Sequence, residues 1–269
     1  MSRNTPRGKR RPKSVLPRPP GAKQGVTRAE LQLQVLPQPD DTTCGPTCLH
    51  AVYRYFGDTV ELQQVIDEVP PLPGGGTLAV WLANHALNRG YDATIFTYNL
   101  QLFDPSWFET PETIPDQLRA QLAAKNDLRL TLATEPYLQF FTRGGKLFLA
   151  DKASSLIRRF LKKGIPILTG LSATYLYRCA RELDDNYDPT GGYPSGHFVV
   201  LSGYDRESRD VMVADPLHDN PFFGQQYYAV NVERLIAAIL LGIVTYDANL
   251  LVLQPKGQSI RPEPNLKVS

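Results

Sequence analysis

The sequence has 269 residues, 42% of them hydrophobic, with 29 Lys and Arg against 27 Asp and Glu. This composition is ordinary for a globular chain with one large domain or two small ones. The longest apolar stretch, residues 235–244, is too short to span a bilayer, and the N-terminus lacks the apolar segment of a secretory signal. Three cysteines do not suggest a disulfide framework. We therefore expect a soluble, cytoplasmic protein with free thiols and no membrane span.

The excess positive charge lies in the first thirty residues. Residues 1–30 hold nine Lys and Arg and one Glu, which leaves 20 basic against 26 acidic residues, a net charge of −6, in the remainder. Because this segment is rich in proline and poor in large apolar residues, it is predicted to be a disordered basic tail. Its KRRPK run (9–13) leaves a weak possibility of contact with nucleic acid. The acidic remainder suggests no groove for a nucleic-acid backbone, so no nucleic-acid partner is expected.

The first part of the chain after the tail is mainly helical by its apolar spacing. In chain order it predicts a strand over 31–36, a helix over 44–56 closed by Gly57, a helix over 60–69, a helix capped by Thr77 that runs to Asn88, and a strand over 91–98. Residues 99–150 show weaker periodicity, with helical segments at 115–125 and 134–145.

The second part is richer in strands. A helix over 152–164, with Asp151 as its predicted N-cap, leads into strands over 165–172, 197–205, 210–216, 226–230 and 246–253, interrupted by a helix from Val232 to Leu241. Residues 256–269 are interpreted as a C-terminal tail. Since the helices come first and the strands later, the sequence predicts an α+β fold with a mostly antiparallel sheet.

Cys44 stands where the first predicted helix begins, and this position suits a nucleophile. A free thiol is only a few per cent thiolate at neutral pH, and the N–H groups and dipole of a helix N-terminus favour the anion. Pro46 fits the first turn of a helix, where its missing N–H costs nothing. Gly45 is expected to let a substrate approach the backbone closely.

A thiol nucleophile needs a base, and His197 is the best placed histidine. It opens a predicted strand directly after the flexible run PTGGYPSG, and Asp215 ends the next strand eighteen residues later. If these strands pair as a hairpin, Asp215 can hold the second imidazole nitrogen of His197. The other three histidines lie on predicted helices or in a loop with no such partner: His50, His85 and His218.

Gln38 lies six residues before Cys44 on the incoming loop. Its side-chain amide and the backbone N–H of Cys44 are candidate donors to the oxyanion of a tetrahedral intermediate. Such a donor typically contributes about 10²–10³ in rate.

These residues resemble the signatures of the C39 and C39-like cysteine peptidases, which are papain-fold enzymes and include bacteriocin-processing domains. QPDDTTCGPTCLHAVYRYFG (38–57) is similar to their pattern of a glutamine, five residues, CG-x-x-C and a helix. GHFVVLSGYDRESRDVMVADP (196–216) is similar to their second signature, a Gly-His that opens a strand and an Asp-Pro that closes the next.

The resemblance implies Cys44 as nucleophile, His197 as general base and acid, Asp215 as its orienting residue and Gln38 as oxyanion donor. It also implies a papain-like domain over 31–255, with an N-terminal helical part that carries the cysteine and a sheet that carries His197 and Asp215. Residues around 99–150 exceed a compact family core and are interpreted as a helical insertion. The membrane-spanning and ATPase domains of bacteriocin-processing members have no counterpart here, so cleavage after a double glycine is not implied.

The resulting prediction is a cysteine peptidase that hydrolyses a peptide or other amide bond and needs no cofactor. Two alternatives stay open: an acyltransferase that uses the same thioester, and a non-catalytic module that binds a peptide. Cys44 as a merely buried thiol is a weaker interpretation, because it leaves Gln38, His197 and Asp215 unexplained. A zinc site is disfavoured because C-x₃-C is not the usual zinc spacing, and Cys48 and Cys179 are expected to be core residues.

Overall fold

The structure, a computed structural model, describes residues 28–257 with the exception of 126, 185 and 246. Its helices are α1 (Cys44–Tyr55), α2 (Leu62–Glu68), α3 (Ala79–Asn88), α4 (Ile114–Ala124), α5 (Leu128–Thr142), α6 (Ala153–Lys162), α7 (Ala173–Tyr177) and α8 (Val232–Leu241). Its strands are β1 (Arg28–Glu30), β2 (Tyr91–Thr97), β3 (Lys146–Leu149), β4 (Ile167–Ser172), β5 (Glu182–Leu183), β6 (Asn186–Tyr187), β7 (Gly196–Asp205), β8 (Asp210–Ala214), β9 (Tyr227–Asn231) and β10 (Asn249–Pro255). Short 3₁₀ turns occupy Pro105–Glu109, Pro111–Thr113 and Gly242–Thr245.

One large sheet organises the molecule, in the order β3-β2-β10-β4-β7-β8-β9, with β1 added against β7. All of its pairings are antiparallel except β2 with β3. β5 and β6 form a separate two-stranded hairpin between α7 and β7. The α+β class and the mainly antiparallel sheet predicted from the sequence are confirmed.

Helices cover both faces of the sheet, and β7 shows why. Phe198 and Val200 belong to a hydrophobic cluster with α1, α3 and α5, whereas Val199 and Leu201 belong to a second cluster with α6 and α8. Successive side chains of a strand point to opposite faces, so a central strand covered on both faces reads as a continuous apolar run. This double burial fixes β7 firmly, and β7 carries His197 near its first residue.

The predicted strand over 31–36 is wrong. The strand lies earlier, at Arg28–Glu30, where it pairs with Gly203–Asp205 of β7. Leu33 and Val35 are buried, so the alternation in the sequence does report one-sided burial. The alternation does not show that this segment pairs with a strand, because the extended chain separates from β7 after the hydrogen bond from Leu31 N to Ser202 O (2.7 Å). The described fold thus begins before residue 31.

Two predicted helix caps are also wrong. α3 begins at Ala79, so Thr77 is not its N-cap. The N–H of Ala79 donates instead to the Asp247 carboxylate from a distant loop (2.7 Å). α6 has Lys152 at its N-cap, so Asp151 does not cap it. A cap supplied from elsewhere in the fold is invisible to a local sequence pattern.

Residues 99–150 form 3₁₀ turns, α4, α5 and β3, of which the strand was not predicted. Asn84 of α3 donates to the Pro136 carbonyl of α5 (2.8 Å), which ties this segment to the N-terminal helices. Its interpretation as a helical insertion stays a prediction.

Most of the two predicted tails, residues 1–27 and 258–269, lies outside the described residues. Within the described part of the chain, no helix has the length and apolar character needed to cross a membrane.

Candidate active site

Cys44 is the first residue of α1 and is buried, with 6% of its surface exposed. Thr43 precedes it as the N-cap but gives the helix no side-chain cap, because its hydroxyl donates to the Asp40 carbonyl instead (3.2 Å). The first-turn N–H groups of α1 are thus not covered by a capping side chain. An uncapped helix start favours a negative charge beside it.

The first turns of α1 pack directly on β7. One turn after Cys44, the Cys48 thiol donates to the Phe198 carbonyl (3.3 Å), and burial, followed by the charges of Cys44 and Asp215, raises the Cys48 pKa. A Cβ on Gly45 would lie 2.5 Å from Thr77 Cγ2 and 3.3 Å from Phe198 Cδ2. Close packing therefore accounts for Gly45, and its predicted role in admitting a substrate stays a prediction.

His197 is buried at the start of β7, with 7% of its surface exposed. Its Nε2 lies 2.8 Å from Asp215 Oδ1. Burial alone would lower the pKa of His197, but the charge and hydrogen bond of Asp215, joined by a smaller contribution from the Cys44 thiol, outweigh it and raise this pKa to about 10. Since Nε2 is taken by Asp215, Nδ1 is the nitrogen left for the thiol.

Asp215 follows directly after β8 and is completely buried. Four donors converge on its carboxylate: His197 Nε2 (2.8 Å) and Leu217 N (2.9 Å) on Oδ1, and Tyr177 Oη (2.6 Å) and Tyr228 Oη (2.5 Å) on Oδ2. Burial pushes the pKa of Asp215 upward, but His197 and the two tyrosines bring it below its usual value. A carboxylate with this many donors stays ionised inside the protein.

Gln38 lies between Asp215 and the start of α1. Its backbone N–H donates to the Pro216 carbonyl (2.9 Å), and its side-chain Nε2 donates to the Asp40 carbonyl (2.8 Å) in the loop that leads to Cys44. The second N–H of that amide has no acceptor among the described residues. Its Oε1 is buried without a donor. A free amide N–H close to a helix start is what an oxyanion donor needs, and this role of Gln38 stays a prediction.

Three of the four predicted residues are buried close together, because His197 interacts with both Asp215 and Cys44, and Gln38 lies on the adjoining loop. Cys48 is turned toward β7, and Cys179 lies half-buried elsewhere. In the part of the chain that is described, no group of three or more His, Cys, Asp or Glu side chains is arranged to hold a metal ion.

The model of the Peptidase_C39 like family matches residues 30–237, which contain all of these side chains. The chain belongs to this family of cysteine peptidases. The cysteine at a helix start, the histidine at the start of a strand and the aspartate at the end of the next strand form the arrangement of a papain-like peptidase fold. No protein with a curated description matches the chain.

Solved structures of C39-like peptidases and other cysteine proteases are similar to the chain over most of its length. A structure assigned to a C39-like peptidase from Bacillus anthracis is 16% identical, covers 84% of this chain and 97% of its own, and has a TM-score of 0.44. A double-glycine motif protease from an AMS/PCAT transporter, in complex with the leader peptide, is 14% identical over 84% and 94%, with a TM-score of 0.40. Xylellain, a cysteine protease from Xylella fastidiosa, is 12% identical over 85% of each chain, with a TM-score of 0.38.

Sequence reasoning missed two residues of this C39-like site, Tyr177 and Tyr228. Tyr228 is held in place by Phe223, whose ring stacks on it at a centroid distance of 3.7 Å, and Tyr177 lies on α7, a helix that was not predicted. Both tyrosines sit in apolar surroundings, so the sequence pattern indicates ordinary core residues. Only the three-dimensional contact with Asp215 distinguishes them.

Proposed function

We propose that this C39-like protein is an active cysteine peptidase that hydrolyses a peptide or amide bond through Cys44, His197 and Asp215, with Gln38 as oxyanion donor. The observation that supports it most strongly is the buried 2.8 Å contact between His197 Nε2 and Asp215 Oδ1 beside Cys44. A buried imidazole held by a carboxylate and placed next to a thiol is the arrangement that nucleophilic catalysis by cysteine requires.

In the first half of the reaction, His197 accepts the proton of the Cys44 thiol, and the thiolate attacks the carbonyl carbon of the substrate. The carbonyl electrons move to oxygen, where the free amide N–H of Gln38 and the backbone N–H of Cys44 stabilise the oxyanion. The carbonyl then re-forms as the C–N bond breaks, and the imidazolium of His197 gives its proton to the leaving amine. The product of this half is a thioester on Cys44.

In the second half, His197 takes a proton from water and the resulting hydroxide attacks the thioester. The C–S bond breaks, the carboxylic acid leaves, and the Cys44 thiolate beside the imidazolium is restored. Asp215 stays ionised throughout and holds the imidazole by Nε2, while its tyrosine partners keep the carboxylate in position. The reaction needs no cofactor.

Alkylation by iodoacetamide, read at each cysteine by mass spectrometry, tests whether Cys44 and His197 form a reactive pair. Because His197 keeps its charge through the neutral range, we expect Cys44 to react at about pH 6–7, at least ~10-fold faster than Cys48. His197→Ala should remove this reactivity, whereas His218→Ala, at an exposed histidine paired with Asp219, should not. Continued protection of Cys48 reports that each variant is folded. Equal labelling of Cys44 in the original protein, His197→Ala and His218→Ala would contradict the proposal.

Gln38→Ala tests the oxyanion donor on the best substrate from a quenched-fluorescence peptide library. We expect kcat to fall by about 10²–10³ with little change in KM, since the interaction is made mainly in the transition state. Gln34→Ala is the matched control, because Gln34 is exposed on the same incoming segment. A similar, small effect of both substitutions would contradict the role of Gln38.

Mass analysis of the product formed with added glycinamide distinguishes the two possible reactions. Hydrolysis gives an acid, whereas acyl transfer to glycinamide gives an amide.

A further inference from the structure

A cavity of about 490 Å³ lies beside α7, and none of its lining residues belongs to the cluster of catalytic candidates. Its lining comes from α7 and its C-cap and from the start of α8: Thr174, Tyr175, Arg178, Asn231, Glu233 and Arg234. A cavity of this size accommodates one or two side chains of a peptide.

Two arginines dominate the charge of this cavity. The guanidinium groups of Arg178 and Arg234 both contact the ring of Phe222, at 5.6 Å and 4.5 Å from its centroid. Burial, followed by the charge of Arg178, lowers the pKa of Arg234, so the free protein holds two like charges near each other. Neither arginine has a carboxylate partner among the described residues, although Arg234 Nη2 donates to the Leu176 carbonyl. Glu233, the one acid in the lining, pairs with Arg209 (3.0 Å).

The backbone at Arg178 points to the same site. Arg178 ends α7 with φ +52°, a left-handed conformation that normally selects glycine. This backbone conformation of an arginine costs conformational free energy, and residues in such conformations cluster at ligand sites.

The elements that line the cavity also carry residues close to the catalytic cluster. Tyr177, which donates to Asp215, follows Tyr175 on α7, and Thr174 Oγ1 accepts from Ser195 N, two residues before His197 (3.0 Å). On the other side, Phe223 is adjacent to Phe222 and stacks on Tyr228, the second tyrosine that donates to Asp215.

We propose that this cavity is a subsite for a carboxylate of a peptide substrate, so that the protein prefers acidic peptides. The proposal rests on the proposed peptidase function. Arg178 and Arg234 supply charge-assisted hydrogen bonds to the carboxylate. Tyr175 and Phe222, 44% and 46% exposed, offer apolar contact to the neighbouring part of a peptide, which a small inorganic anion would not use.

The test measures binding on the full chain carrying Cys44→Ala, which cannot form a thioester. The probes carry an uncharged BODIPY dye at the N-terminus: C-terminally amidated Gly-Ala-Phe-Glu-Glu-Ala-Gly, its Gln-Gln counterpart, and that counterpart with a free C-terminal carboxylate. By fluorescence anisotropy we expect at least one carboxylate-bearing probe to bind about 10-fold more tightly than the amidated Gln-Gln peptide, less so at high salt. The probe that gains affinity shows whether a side chain or a chain end is bound.

Three further variants connect this preference to the cavity. Arg178→Gly suits the left-handed backbone and should keep the fold while it abolishes the preference, as should Arg234→Gln. Arg206→Gln, at an exposed arginine in the turn at the far end of β7, should leave the preference intact. Equal affinity for all three probes, no binding below about 1 mM, or a preference that survives Arg178→Gly combined with Arg234→Gln would overturn the proposal. Because Cys44→Ala binds without turnover, these outcomes are independent of the alkylation test.

Discussion

Cys44→Ala is expected to reduce peptide hydrolysis by about 10⁴-fold or more, because no other group can form the thioester. The substitution removes one sulfur from a buried position at the start of α1, so the stability should change little. The measurement is kcat/KM on the best library peptide, with the free energy of unfolding from urea titration of the same samples. A rate close to that of the unchanged protein would contradict the nucleophile assignment.

Cys48→Ala is the matched control, since Cys48 lies one turn further along the same helix and is also buried. Its thiol donates to the Phe198 carbonyl, which joins α1 to the strand that carries His197. We expect this substitution to cost about 1–2 kcal/mol of stability through a small cavity and a lost hydrogen bond, with kcat/KM within a few-fold of the original. Cys44→Ala is thus expected to remove activity and keep stability, whereas Cys48→Ala is expected to lower stability and keep activity.

The sequence signals that point to the candidate site are local. Cys44 begins a helix whose apolar spacing is clear. His197 lies on β7 and Asp215 directly follows β8, and a short turn joins these two strands. Consecutive antiparallel strands usually pair, so these two side chains are expected to lie in the same part of the sheet. The helix from Val232 to Leu241 was predicted with the bounds that the structure has, for the same reason.

The features that the sequence does not predict depend on contacts between distant segments. Tyr177 and Tyr228 are 38 and 13 residues from Asp215, and nothing in their own surroundings distinguishes a hydrogen-bonded tyrosine from a packed one. Asp247 caps α3 from 168 residues away, which no local cap pattern can reveal. The insertion of β10 between β2 and β4 in the sheet is likewise a product of tertiary packing. Local pattern therefore points to the candidate reacting groups, and tertiary contacts determine how their side chains are held.

Asp215→Asn is expected to lower kcat by about 10³–10⁴ and to destabilise the fold by about 3–5 kcal/mol near pH 5.5. The carboxylate accepts four hydrogen bonds, two on each oxygen, whereas an asparagine amide offers one oxygen and one NH₂ group. Whichever way the amide turns, two buried donors lose their acceptor. The imidazole of His197 also loses the charge that raises its pKa, so burial now favours its neutral form.

The loss of stability should depend on pH in a direction set by the two pKa shifts. The lowered pKa of Asp215 contributes stability above the ordinary carboxyl pKa, and this part is lost as the pH falls through the folded value. The raised pKa of His197 contributes stability that is complete below its ordinary value and is lost as the pH rises toward about 10. The difference between the original protein and Asp215→Asn should therefore be largest at about pH 5–6 and smaller at about pH 9.

Asp219→Asn provides the control for this effect, because His218 and Asp219 form the same type of pair at the same 2.8 Å distance on the surface. Exposed pairs are screened by water, so its cost should stay below about 0.5 kcal/mol at every pH, with kcat unchanged. Urea unfolding at three pH values, together with the His197 titration followed by NMR, compares the two variants directly. If Asp215→Asn were no more damaging than Asp219→Asn, the His197–Asp215 contact would contribute to neither stability nor catalysis, since burial is what separates the two pairs.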